Sequence, residues 1–151
     1  MTADATTRPG RAVGVDLGSR RIGIAVSDSA GTLATPRGTL QRSGDRERDR
    51  RALVDLVTEE EAVVVVVGHP LSLDGTRGPA ARAAEEEADA LAGLLDGTGV
   101  RVELFDERLT TVTAHQALTA GGTKGRDQRA VVDQTAAAVL LTAWLDARRA
   151  R

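Results

Sequence analysis

Five consecutive valines, Val63 to Val67, follow Ala62 and run into the forced turn Gly68-His69-Pro70. Successive side chains of a strand point to opposite sides of a sheet. A β-branched run without polar alternation therefore predicts a strand covered on both faces. Such a strand needs helices above and below it, and the flanking sequence offers them. Residues 45–61 carry Leu53, Leu56, Val57 and Glu60 on one side, with Arg50, Arg51 and Glu59 off it. Pro79 suits a helix first turn. From there Ala84, Ala88, Leu91 and Leu95 fall at helical spacing until Gly97 and Gly99.

The rest of the chain extends this pattern. Residues 12–18 (AVGVDLG) read as a buried strand. Residues 21–28 (RIGIAVSD) alternate Ile22, Ile24 and Val26 with smaller residues. With Ser19 and Arg20 between them, the two runs predict an antiparallel hairpin. A third strand is expected over 32–40 and another over 100–105 (VRVELF). Thr110 can cap a helix over 110–120 that stops at Gly121-Gly122. A mobile loop is expected over 121–130, and a final helix from about 127 to 148, basic at its end as the helix dipole favours. The order β-β-β-α-β-α-β-α-α predicts an α/β fold, a mixed five-stranded sheet with helices on both faces. One domain over 11–148 accommodates it, after a polar tail at 1–10.

Composition removes several functions. Phe105 and Trp144 are the only aromatics in 151 residues, so base stacking on aromatic platforms is nearly excluded. Without Cys there is no disulfide, thiol nucleophile or zinc thiolate. No apolar run approaches the roughly 18–20 residues of a membrane span. The N-terminus lacks the apolar centre of a signal peptide. A net charge of −2 gives no overall attraction to nucleic acid. Its distribution is uneven: acidic residues crowd 59–61 and 85–87, and basic ones crowd Arg20-Arg21 and 124–129.

Three carboxylates stand where a core belongs. Asp16 lies in the first strand on the same side as Ala12 and Gly14, near the strand's carboxyl end, where α/β sheets gather functional groups. It reads either as a site residue or as a turn Asp bonded to the Gly18 and Ser19 amides. Glu107 directly follows the 100–105 strand. It reads either as functional, or as an acid paired with Arg108 or capping the next helix. Asp133 precedes Ala137, Leu140 and Trp144 on one helix face, so it points the way the core points. A carboxylate facing inward needs a partner. Together the three could bind Mg²⁺ or Mn²⁺, hard cations that prefer oxygen ligands. Two such ions would stabilise the attacking and leaving oxygens of a phosphodiester.

Basic and polar residues surround these positions. Ser19, Arg20 and Arg21 occupy the hairpin turn beside Asp16, as phosphate contacts or as a solvated turn. His69 either touches substrate or braces its own turn. Arg77, in the 74–78 loop before a helix N-terminus, and Arg108 are further candidates. Lys124, Arg126 and Arg129 lead toward Asp133, where they would draw in a polyanion. His115 is read as structural or exposed.

Four motifs in order, VGVDLGSRRIGIAVSD (13–28), VVVGHPLSLDG (65–75), FDERLTT (105–111) and VDQTAAAVLLTAWL (132–145), resemble the YqgF/RuvX family. The resemblance spans about residues 11–147. It implies a ribonuclease H-like fold, a bacterial cytoplasmic location, and a nuclease of the Holliday-junction-resolvase type acting on pre-16S rRNA. It also places the family's metal-binding acids on Asp16, Glu107 and Asp133. Expected partners are nucleic acid, pre-rRNA first and branched DNA second, with no membrane and a monomer or homodimer. Two other functions fit the same residues. One is a non-catalytic nucleic-acid-binding module. The other is a nucleotide-binding domain of the sugar-kinase and actin type, which DLGSRRIGIAVSD also resembles, although no second phosphate loop follows.

Overall fold

The first two strands, β1 (Arg11–Leu17) and β2 (Arg21–Ser27), form the expected hairpin, with Asp16 opposite Gly23 and Val13 opposite Val26. The Gly18 amide closes the turn on the Arg21 carbonyl at 3.0 Å. The computed structural model describes residues 10–110 and 126–149, with side chains at 10–110 and 133–149. Strand β3 (Ala34–Gln41) pairs antiparallel with β2. Helix α1 (Arg46–Glu59) then crosses to β4 (Ala62–His69), the valine strand, which lies parallel to β1. Helix α2 (Pro79–Leu94) crosses to β5 (Arg101–Asp106), parallel to β4, and a 3₁₀ turn follows over Glu107–Leu109. Helix α3 (Arg126–Arg149) ends the described chain. The sheet order is β3-β2-β1-β4-β5.

The valine run does what its pattern requires. Val65 and Val67 join Val13, Val15, Ile22 and Ile24 in a core closed by α1 and α2. Val64 and Val66 face the other way, with Ala12 and Ala25, onto Ala137, Leu141 and Trp144 of α3. Small residues on this second face let α3 lie close to the sheet. Asp45 caps α1 by accepting from the amides of Glu47 and Arg48. Glu60, which caps the end of α1, accepts from Arg11 and Arg37 and so ties the helix end to β1 and β3.

Among the described residues no helix is long and apolar enough to cross a membrane. The tail at 1–9 and the segment 111–125 lie outside the described residues, and with them His115, Lys124, Gly121-Gly122 and all but Thr110 of the helix expected over 110–120. Thr110 itself ends the 3₁₀ turn. One expectation needs correction. The loop predicted over 121–130 is helical from Arg126 onward. Gly125 is the last helix-breaking residue before the run that includes Asp133, and nothing beyond it interrupts a helix.

Candidate active site

Residues two apart on a strand, and residues directly opposed across an antiparallel ladder, share a face of the sheet. Asp16 thus lies on the face of Ala12 and Gly14, and so does its partner Gly23. Gly68 lies on the same face as Val64 and Val66. Two of these glycines are needed for close approach. A Cβ at Gly23 would stand 2.0 Å from the Asp133 carbonyl oxygen, and one at Gly68 would stand 2.7 Å from Glu107 Oε1. From β2 across β1 to β4, one row therefore carries Asp133 above Gly23, then Asp16, then Glu107 above Gly68. All three acids sit on the α3 face, beside the carboxyl ends of the parallel strands.

They are not held alike. The Asp16 and Glu107 carboxyls are hydrogen-bonded to each other, and Glu107 is pushed up to about 8. Burial is the main cause, followed by the bond to Asp16 and then by the negative charges of Asp16 and Asp106. Two carboxyls in such contact share a proton at neutral pH. Asp133 instead accepts from Arg21 Nε at 2.7 Å, both side chains being partly exposed. Among the described residues no group of three His, Asp or Glu side chains is arranged to hold a metal ion. The convergence expected from the sequence is therefore a touching pair plus a third carboxylate on α3, above the adjoining strand and held by an arginine.

The other candidates are distributed around this row. Ser19 and Arg20 are exposed in the hairpin turn. His69 Nε2 lies 2.7 Å from Glu85, which Arg77 also grips, through Nε at 2.8 Å and through a second guanidinium nitrogen. Arg77 first and His69 second lower Glu85 to about 2. Arg108 turns back onto Asp106, from 2.7 to 3.0 Å, and reaches the Leu73 carbonyl at 3.3 Å. These three residues thus brace the segment after β4. Arg126 and Arg129 lie in α3, and their side chains are not among those described.

Two residues that sequence reasoning missed lie close by. Arg42 donates through Nε to the Gly18 carbonyl at 2.7 Å, and Arg42 and Arg46 line a cleft of about 350 Å³ with Glu107 also in its wall. Their signal was the run RSGDRERDRR (42–51), whose alternation of arginines with acids reads as a solvated helix start.

A mixed sheet of order β3-β2-β1-β4-β5 flanked by helices is a ribonuclease H-like α/β fold. In fold the chain is similar to the Thermus thermophilus RuvC solved in complex with a Holliday junction substrate (TM-score 0.55, 15% identity, 93% of this chain and 96% of that one). It is equally similar to the yeast mitochondrial Holliday junction resolvase Ydc2 (TM-score 0.55, 9% identity, 93% and 80%). The chain belongs to the RuvX family, whose model, described as Holliday junction resolvase, matches residues 10–147. Curated relatives named "Putative pre-16S rRNA nuclease" include one from Mycobacterium sp. (strain KMS), 49% identical over 141 residues, which are 93% of this chain and 82% of that protein. Another, from Rhodococcus opacus (strain B4), is 50% identical over 142 residues, 92% and 79%.

Proposed function

We propose that this chain is a metal-dependent nuclease that hydrolyses phosphodiester bonds in the cytoplasm, with the 5′ end of pre-16S rRNA as its substrate. The observation that carries the reading is the Asp16–Glu107 pair, two carboxyls forced together on a sheet face where a proton now joins them. A cation can replace that proton. The donors are oxygens only, on rigid elements, and they suit Mg²⁺ or Mn²⁺. Asp16 and Glu107 would hold such an ion. When bound, it would polarise the scissile phosphate and acidify the attacking water. Asp133 would join Asp16 and Glu107 as a ligand if its carboxylate left Arg21, and a second ion would need that exchange.

In this reading the exposed turn residues Ser19 and Arg20, next to Asp16, meet phosphate. Arg21 keeps Asp133 neutralised until the site fills. Lys124, Arg126 and Arg129 add positive charge on sequence grounds. His69, Arg77 and Arg108 act through the segment they brace. A second reading, cleavage of branched DNA, is favoured by the family's description as Holliday junction resolvase. A homodimer would suit the symmetry of a junction, whereas a monomer suffices for an rRNA end.

The test is purified protein with pre-16S rRNA and Mn²⁺, wild type beside Asp16→Asn, with cut ends mapped. Mn²⁺-dependent cleavage near the mature 5′ end, abolished by the substitution, is expected. Absence of cleavage on pre-rRNA, single-stranded RNA and branched DNA alike rejects the nuclease reading. Cutting confined to branched DNA moves it to the second.

A further inference from the structure

The cleft of about 350 Å³ is walled by Glu107 of the carboxyl pair, by Gly18 and Ser19 of the hairpin turn, and by residues of α1 and α2. Its volume lies in the range of small-ligand sites, roughly 300–1,000 Å³. A duplex cannot enter a space of that size. Its walls are of three kinds. Arg42 and Arg46, just before and at the start of α1, supply positive charge, Pro70, Ala83 and Ala84 supply apolar surface, and Glu86 and Glu87 of α2 supply carboxylates. Glu87 is occupied by three hydrogen bonds from Arg50. Among the described residues, the exposed Arg46 and Glu86 side chains make no hydrogen bond or ion pair, and Glu86 feels only the nearby charge of Arg50. An anionic group and a hydrogen-bond donor edge, joined by a flat apolar body, would satisfy all three walls.

We propose that this cleft seats one unstacked nucleotide of the substrate strand beside the scissile phosphate. Arg46 and Arg42 meet its phosphate, Pro70 and Ala83 flank the base, and Glu86 accepts from the base's N–H edge. The proposal rests on the nuclease reading and deepens it: the substrate must be single-stranded next to the cut. Apolar enclosure and hydrogen bonding take the place of aromatic stacking, because Trp144 and Phe105 pack beneath α3 and neither lines the cleft.

The experiment uses the full chain with short single-stranded RNA and matched DNA. A substrate series carries one abasic site at each position around the cut. Wild type is expected to show a KM about tenfold higher at a single position adjacent to the cut, with kcat kept, as loss of one base contact implies. Ala83→Phe fills the cleft from an exposed helix position, so the fold is spared, and should erase the difference between intact and abasic substrate. Arg46→Ala should lower the slope of log affinity against log salt by about 0.7, one phosphate contact on a single strand. A flat abasic profile in wild type, or an Ala83→Phe profile identical to it, overturns the proposal while leaving the nuclease intact. If no substrate is cut, fluorescence anisotropy with the same strands in Ca²⁺ still decides. Unchanged affinity in Ala83→Phe together with an unchanged salt slope in Arg46→Ala rejects the cleft, and weakened affinity with a reduced slope supports it. RNA and DNA arms that differ identify which sugar the cleft accepts.

Discussion

At the scale of single residues, the proton between Asp16 and Glu107 is the most informative feature. Glu107 holds its proton up to about pH 8, whereas an unfolded glutamate loses it near 4.5. Between those values the native state binds the extra proton. The stability linked to it is fully present below about 4.5 and is lost as pH rises through about 8. Asp16→Asn removes the hydrogen bond and the repulsion but leaves burial, the largest cause. The Glu107 titration followed by carbonyl NMR should therefore move down yet stay above 4.5. The metal-free variant should be more stable than wild type at pH 9 and nearly equal to it at pH 4. A midpoint unmoved by the substitution would show that Asp16 does not touch Glu107. Gly23 supports a second expectation. Its missing Cβ leaves room for the Asp133 carbonyl, and Gly23→Ala would force α3 off the sheet. Overpacking of this kind costs about 2–3 kcal/mol, readable as a lower urea midpoint. The same change should weaken Mn²⁺ binding, since it displaces Asp133.

Among the elements, α1 shows how local chemistry reaches the site. Asp45 accepts from the amides of Glu47 and Arg48 at 3.1 and 3.2 Å and fixes where the helix begins. Arg46 is the first residue after that cap and lines the cleft. Asp45→Ala should cost about 1 kcal/mol in chemical denaturation. It should also lower affinity for single strands, because a frayed first turn no longer presents Arg46; equal affinity would separate the cap from the cleft. The elements themselves were largely legible in the sequence. The valine strand, the hairpin and the spacing of Ala137, Leu140 and Trp144 each follow from a period of 2.0 or 3.6, and periodicity survives without any knowledge of partners. The start of α3 was less legible. Glycines at 121, 122 and 125 blur a boundary that no capping pair marks, so a loop expected over 121–130 overlapped a helix expected from about 127, and the helix is the reading that holds.

Across the whole molecule, the site joins chain ends that periodicity cannot relate. That Asp16 sits with Ala12 and Gly14 and that Asp133 points toward a core was readable, because each has small or apolar neighbours at the spacing of its own element; that both lie on the same face of a sheet covered on both sides was not. That Asp16 bonds Glu107 while Asp133 bonds Arg21 was not. Arg21 and Asp133 are 112 positions apart, and Arg21 read as a phosphate contact because only the hairpin beside it was visible. Likewise Glu85, in an acidic run, gave no sign that it would hold both His69 and Arg77.

The Arg21–Asp133 pair also decides how the fold and the metal compete. Both side chains are partly exposed, so as a strap the pair contributes about 1 kcal/mol at most. Its larger effect is on the site, because a cation that takes Asp133 must displace a guanidinium already in place. Arg21→Gln removes that competitor. Calorimetric titration of the metal-free protein with Mn²⁺ should then show affinity rising severalfold, while the urea midpoint falls only slightly. Asp133→Asn in the same background should abolish the gain, because the ligand that Arg21 guarded is gone. Were Arg21→Gln to weaken Mn²⁺ binding instead, Arg21 would be a residue that orients Asp133 for the metal, and the exchange between arginine and cation would have to be abandoned.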